Sequence, residues 1–344
     1  MKTYSDKTRS IVSLFNSTIV PIILGIAVMV VSAFIPDGLL ADDFTETYAH
    51  DLVLNIPWGP APDEMGIHNL SDGSRYGPGS FDIDMRGRMY ILDTVNRAVK
   101  VYARDGRLQN HFPVDIQSRM GFLDVDNSGG IWVSDPENRI VLKYTSEGVI
   151  RKRIVYNRGW YNLVEPFISV RSDSVQLAIS RIDSTGIITP SGDMGEPVIQ
   201  GKRATIPKHE QVQFIGMASG NFYNCRAVPN KPPEMEILKA GHLLATVKFQ
   251  DIDALYSVTY LGEDSFGSFY VKLTSLLRNV THIRKYDRAL RHVATIYYIP
   301  FDGKYKLDDI ANIRIDVTGD IYCLFWLDEG MHMLKWSPVG PEKR

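Results

Sequence analysis

The chain has 344 residues, 44% of them hydrophobic and 23% charged, enough to bury a large core. Its formal net charge of −2 gives no case for nucleic acid as a partner, which would need a concentrated basic face. Cys225 and Cys323, 98 positions apart, match neither a disulfide framework nor zinc-ligand spacing.

The first element is apolar. Lys2, Lys7 and Arg9 precede an uncharged run from Ile19 to Ile35, closed by Pro36-Asp37-Gly38. Seventeen residues just span a bilayer and are long for a signal-peptide core. Val31-Ser32-Ala33 offers the small residues a signal peptidase requires. A retained anchor and a cleaved signal therefore both stand, with a buried soluble helix as a third reading. No cysteine lies near the end of the run, which argues against a lipid anchor. The leading positive charges place the N-terminus in the cytoplasm. The body is expected outside it, in the periplasm or at the cell exterior.

After a linker over 37–50 comes a short alternating strand, Asp51-Leu-Val-Leu-Asn-Ile-Pro57. A β-pattern then stops at a turn and restarts six times, with turn residues at Gly87, Gly129, Asp173, Gly220, Gly267 and Gly319. The intervals run from 42 to 52 residues. Repeats of this length, each holding several short strands, signal a β-propeller. The clearest copies are Phe81–Gly106 and Phe122–Gly148. The last copy has only three strands before the chain ends, so the segment at 51–57 is expected to supply its fourth. Leu52, Leu54 and Ile56 would then share one face. The expected fold is all-β: a six-bladed β-propeller over 51–338 closed by an N-terminal strand. It is preceded by a membrane-spanning or signal segment over 1–36 and followed by a tail over 339–344.

Asp93-Thr-Val-Asn96-Arg97 and Asp135-Pro-Glu-Asn138-Arg139 follow the second strand of the first two copies. With the Gly-Arg-Met-Tyr-Ile-Leu-Asp and Val-Tyr-Ala-Arg-Asp-Gly runs beside them, they resemble NHL-type propeller repeats. The match is good over 78–150, weak over 166–300 and partial over 311–336. The resemblance implies a six-bladed propeller that binds proteins, RNA or small ligands. Related folds also include lactonases, lyases and other enzymes, so the family leaves function open.

Asp124-Val-Asp126-Asn-Ser128-Gly129, with Asp135, loosely resembles a calcium loop. The same offsets recur at Asp82, Asp84, Gly87 and Asp93, where Arg86 replaces a ligand, so a repeated hairpin turn explains both. The scattered histidines occupy no equivalent strand positions, and no Gly-x-Ser-x-Gly elbow is present. No metal or cofactor is expected. The equivalent inner-strand ends fall at Asp84, Asp126, Ser169, Met217, Thr259 and Asp316; three carboxylates at these places make only a thin case for a channel enzyme.

Long links between copies gather on one end of a propeller, where recognition tends to sit. That end carries Trp58, Arg75, Tyr76, Trp160, Tyr161, Lys208 and His209, joined by Arg97 and Arg139 from the turns. Aromatic and Arg residues build binding hot spots. The expected role is an extracytoplasmic binding or scaffold module for a protein or small-molecule ligand, tied to the membrane by its N-terminal segment. A channel-centred lactonase, lyase or hydrolase is the alternative.

Overall fold

The computed structural model describes residues 46–155 except 72, 74 and 120, the strands between 167 and 249, residues 255–275, 280–298 and 310–339, and Lys304. Side chains of 156–233 lie outside that description, as do the apolar run at 19–35 and the side chains of Trp160, Tyr161, Lys208 and His209. No helix among the described residues is long and apolar enough to cross a membrane.

β1 (Thr47–Pro57) is followed by a small hairpin, β2 (His68–Asn69) and β3 (Arg75–Tyr76). The first sheet holds β4 (Ser80–Ile83), β5 (Met89–Asp93), β6 (Ala98–Tyr102) and β7 (Leu108–Pro113). The second holds β8 (Phe122–Val125), β9 (Ile131–Asp135), β10 (Ile140–Tyr144) and β11 (Ile150–Val155). The third holds β12 (Phe167–Arg171), β13 (Ser174–Ala178), β14 (Ser184–Ile188) and β15 (Val198–Ile199). The fourth holds β16 (Gln211–Ala218), β17 (Asn221–Ala227), β18 (Glu234–Lys239) and β19 (His242–Lys248). The fifth holds β20 (Leu255–Glu263), β21 (Phe269–Ser275), β22 (Val280–Tyr286) and β23 (His292–Ile296). The sixth holds β24 (Ile310–Ile315), β25 (Ile321–Trp326) and β26 (Gly330–Val339), with β1 along its outer edge.

Each sheet is an antiparallel meander, and the innermost strands meet: β4 against β8, β8 against β12, β16 against β20, β20 against β24 and β24 against β4. The fold is a β-propeller. Its cores lie between sheets. Tyr90, Leu92, Val99 and Val101 of the first sheet pack on Leu123, Val133 and Leu142 of the second. Phe81, Met89 and Ile91 pack on Tyr322, Leu324, Met331 and Met333 of the sixth. A second strand thus faces apolar neighbours on both sides, and β5 and β9 are buried at every position.

β1 pairs antiparallel with β26, Asp51 opposite Lys335 and Leu54 opposite Met333, and it begins at Thr47, inside the segment read as linker. Leu52, Leu54 and Ile56 do not share a face. The register shifts between Leu52 and Leu54, so these two oppose the consecutive residues Leu334 and Met333. A bulge inserts one residue and reverses the alternation. Leu52 is left 49% exposed, while Leu54 and Ile56 are 3% and 4% exposed.

Strand direction gives the propeller two unlike ends. Among the described residues, the tight turns after the first and third strands of the first, second and fifth sheets and after the first strand of the sixth gather at one, the turn face. The described turns between second and third strands, in the first, second and sixth sheets, gather at the other, the loop face, with the links that lead into β4 and β8.

Candidate functional site on the loop face

The loop face is built on two buried aspartates. Asp93, at the end of β5, accepts bonds from the Asn96 amide (3.0 Å), Asn96 Nδ2 (2.9 Å) and the Gly66 amide (3.0 Å). In the second sheet, Asp135 accepts from the Asn138 amide (3.1 Å), Asn138 Nδ2 (2.8 Å) and the Gln117 amide (2.8 Å). The Asp-x-x-Asn spacing therefore folds the turn and ties down the incoming link, as short polar side chains do. Arg97 and Arg139, the next residues, adopt left-handed backbone with φ of 52° and 57°. Arg97 is exposed and Arg139 half-buried.

The link from β1 to β4 is anchored from below. Pro57 to Met65 doubles back through Gly59 N to Met65 O (2.8 Å) and Met65 N to Pro57 O (2.9 Å). Under this loop, buried Lys100 pairs with Asp93 (3.2 Å) and donates to the carbonyls of Ala61 (3.3 Å) and Glu64. Trp58 is half-buried, its indole donating to Leu327 O (2.8 Å), and Trp326 donates likewise to Pro78 O (3.1 Å). Trp58 is thus a cover for the sheet edge, with its polar atom spent.

On this base stands the β2–β3 hairpin. Tyr76 lies against His68 (ring centroids 4.8 Å apart), and the Arg119 guanidinium sits 5.2 Å from the Tyr76 ring centre. Arg75 pairs with the exposed Asp328 of the sixth sheet at 2.9 Å. Tyr76 comes four residues before β4 and Arg119 three before β8, so the cluster sits where the chain turns into the inner strands. His68, Asn69, Leu70 and Arg119 are exposed around it. The structure therefore gathers Trp58, Arg75 and Tyr76 with His68, Arg119 and Asp328. Arg119 and Asp328 had no motif to reveal them.

The opposite end is chemically closed. Asp84 accepts from the Arg86 and Arg88 amides (both 2.9 Å) and from Tyr90 OH (3.2 Å). Asp126 accepts from the Ser128 and Gly130 amides (2.9 and 2.8 Å) and the Trp132 indole (2.8 Å), with Lys143 Nζ at 2.9 Å. Burial opposes its charge, but these donors outweigh it and hold the carboxyl well below its ordinary range. Asp316 repeats the pattern with Thr318, Asp320 and Tyr322, and Asp264 with Phe266, Ser268 and Tyr270. Asp264 replaces Thr259 as the fifth sheet's member: Thr259 lies inside β20, paired with Lys272 of β21, and β20 runs on to Glu263. A carboxylate with both oxygens bonded to amides and ring donors has little left for calcium. No group of three or more His, Cys, Asp or Glu among the described residues is placed to hold a metal.

The edges of the inner strands are also occupied. Asp82 accepts from the Val125 amide (2.7 Å), Ser80 Oγ from the Leu123 amide (2.8 Å), and Asn312 Nδ2 donates to Gly79 O (2.9 Å). Polar side chains of one inner strand thereby satisfy the free backbone edge of the next.

No protein-family profile and no curated protein matches the chain. It is similar to a catalytically inactive virginiamycin B lyase from Staphylococcus aureus solved with quinupristin: 15% identity and a TM-score of 0.50, over 85% of this chain and 100% of that one. It is also similar to a streptogramin B lyase, at 13% identity and a TM-score of 0.47, over 87% and 100%. A Bacteroides fragilis protein assigned as exported matches at 11% and 0.48, over 85% and 95%. At such identities the first likeness speaks for the β-propeller fold alone, and the other two carry no argument.

Proposed function

We propose that the chain is an extracytoplasmic, NHL-like, six-bladed β-propeller that binds a protein or small-molecule ligand through its loop face. Contacts running from β4 through β8 to β12, and from β16 through β20 and β24 back to β4, support a ring of six blades. The pairing of β1 with β26 supports closure by the N-terminal strand. The Lys2, Lys7, Arg9 and 19–35 pattern supports export, with the segment retained as an anchor or removed as a signal.

One observation carries the recognition reading. Tyr76 packs against His68 and under the Arg119 guanidinium on the β2–β3 hairpin, beside exposed Leu70, and belongs to none of the hydrophobic cores between the four-stranded sheets. Rigidly held aromatic and Arg side chains bind with little ordering cost. The enzyme alternative needs carboxylates free to reach a substrate or metal. Asp84, Asp126, Asp264 and Asp316 are all engaged in turns, which favours binding.

The test compares the full-length chain with its H68A/Y76A/R119A variant in capture from membranes of the source cell. Loss of a wild-type partner from a variant that melts normally is expected. An unchanged set of partners would contradict the choice of face.

A further inference from the structure

The turn face carries exposed apolar tips that serve no core. Met85, Phe266 and Val317 occupy the tight turns after β4, β20 and β24, and are 67%, 68% and 38% exposed. These turns belong to the first, fifth and sixth sheets and are physically joined. Ser265 N donates to Val317 O at 2.8 Å, and Arg104 reaches Asp320 at 3.7 Å. The tips therefore form one arc around the inner strands.

Arginines border the arc. Arg86 follows Met85; the Arg104 side chain crosses the turn at Gly87, 3.2 Å from where a β-carbon would stand; the Arg288 side chain crosses the turn at Gly267 in the same way. Arg107 and Arg291 extend the border and are exposed. Against these five stand exposed Asp105 and Glu147, and Asp287, which is already paired with Arg291 at 2.6 Å. The described chain also enters on this face, where Glu46 meets Lys285 at 2.7 Å, and only ten residues separate Glu46 from the end of the apolar run at 19–35.

We propose that the turn face of the first, fifth and sixth sheets docks on a membrane surface containing anionic phospholipid. Met85, Phe266 and Val317 enter the interfacial layer while the arginines meet lipid phosphates. Apolar tips within a basic border are the pattern of interfacial binding, and two weak attractions together hold where one does not. A soluble protein partner would be chosen by shape at this face and would not depend on lipid charge.

The experiment uses the full chain reconstituted into vesicles, with Cys225 replaced by Ser and a nitroxide attached at M85C, F266C or, on the other face, L70C. In phosphatidylglycerol-rich vesicles, the ratio of oxygen to water-soluble nickel relaxation should rise several-fold at 85 and 266 and stay low at 70. In phosphatidylcholine alone, or with R86E/R104E/R288E in anionic vesicles, the contrast should vanish. Equal ratios at all three sites in anionic vesicles would overturn the proposal. So would protection at 85 and 266 that appears only on adding soluble envelope protein, whatever the lipid.

Discussion

Ser265 donates its backbone amide to the carbonyl of Val317 at 2.8 Å, bonding a tight turn of the fifth sheet to its counterpart in the sixth. The same seam carries Tyr270, whose hydroxyl reaches Asp264 (3.0 Å), Gly319 O (3.4 Å) and Tyr48 OH (3.4 Å). Beside it, Lys285 joins Glu46 (2.7 Å) to Asp264 (3.8 Å). The N-terminal strand thus grips two sheets by polar contacts as well as by pairing.

Lys285→Met should therefore destabilise the protein by about 1–3 kcal/mol, since Asp264 is buried while Glu46 is partly solvated. A double-mutant cycle with Glu46→Gln, read by urea unfolding, should show coupling. Strict additivity would remove the latch from the account.

The bulge in β1 makes neighbouring leucines unequal. Leu54→Ala should cost about 2–5 kcal/mol, as buried Leu truncations do, whereas Leu52→Ala should change stability by less than about 0.5 kcal/mol. Similar losses in thermal melts would mean that the register is wrong.

Asp93 holds Lys100, Asn96 and the Gly66 amide together. Asp93→Ala leaves a buried ammonium without its carboxylate and should destabilise by about 3–5 kcal/mol. It should also free the 58–66 loop, detectable as faster proteolysis there than elsewhere. A fully stable Asp93→Ala protein would contradict this arrangement.

Asp126 supplies a pH dependence. Its folded-state value lies below the ordinary 3.8, so its stabilisation is complete above that pH and fades as pH falls beneath it. Asp126→Asn should lower the melting temperature at pH 7, and the gap from wild type should narrow toward pH 3. A gap that stays constant with pH would show that charge at this position is irrelevant.

The repeat was legible because Asp, Gly three residues on and an aromatic six on recur for a physical reason: the carboxylate bonds the turn amides and the ring donor. Asp84-Gly87-Tyr90 and Asp126-Gly129-Trp132 display it plainly. Asp264-Gly267-Tyr270 obeys the same spacing. Counting from the strand start lands on Thr259 instead, because β20 is long and shifts register at two places. The bulge at Val53 hid the exposure of Leu52 in the same way. Arg119, Asp328 and the Glu46–Lys285 pair lay beyond sequence reasoning, since each meets a partner from a distant segment that no local pattern specifies. Trp160, Tyr161, Lys208 and His209, expected as binding residues, fall outside the described residues.

The most direct test is photo-crosslinking in intact cells, with a benzophenone amino acid placed in turn at Tyr76 and at Met85. A discrete ligand or protein adduct is expected from 76 and not from 85. Adducts that form from 85 but never from 76, or from neither position, would contradict recognition through the loop face.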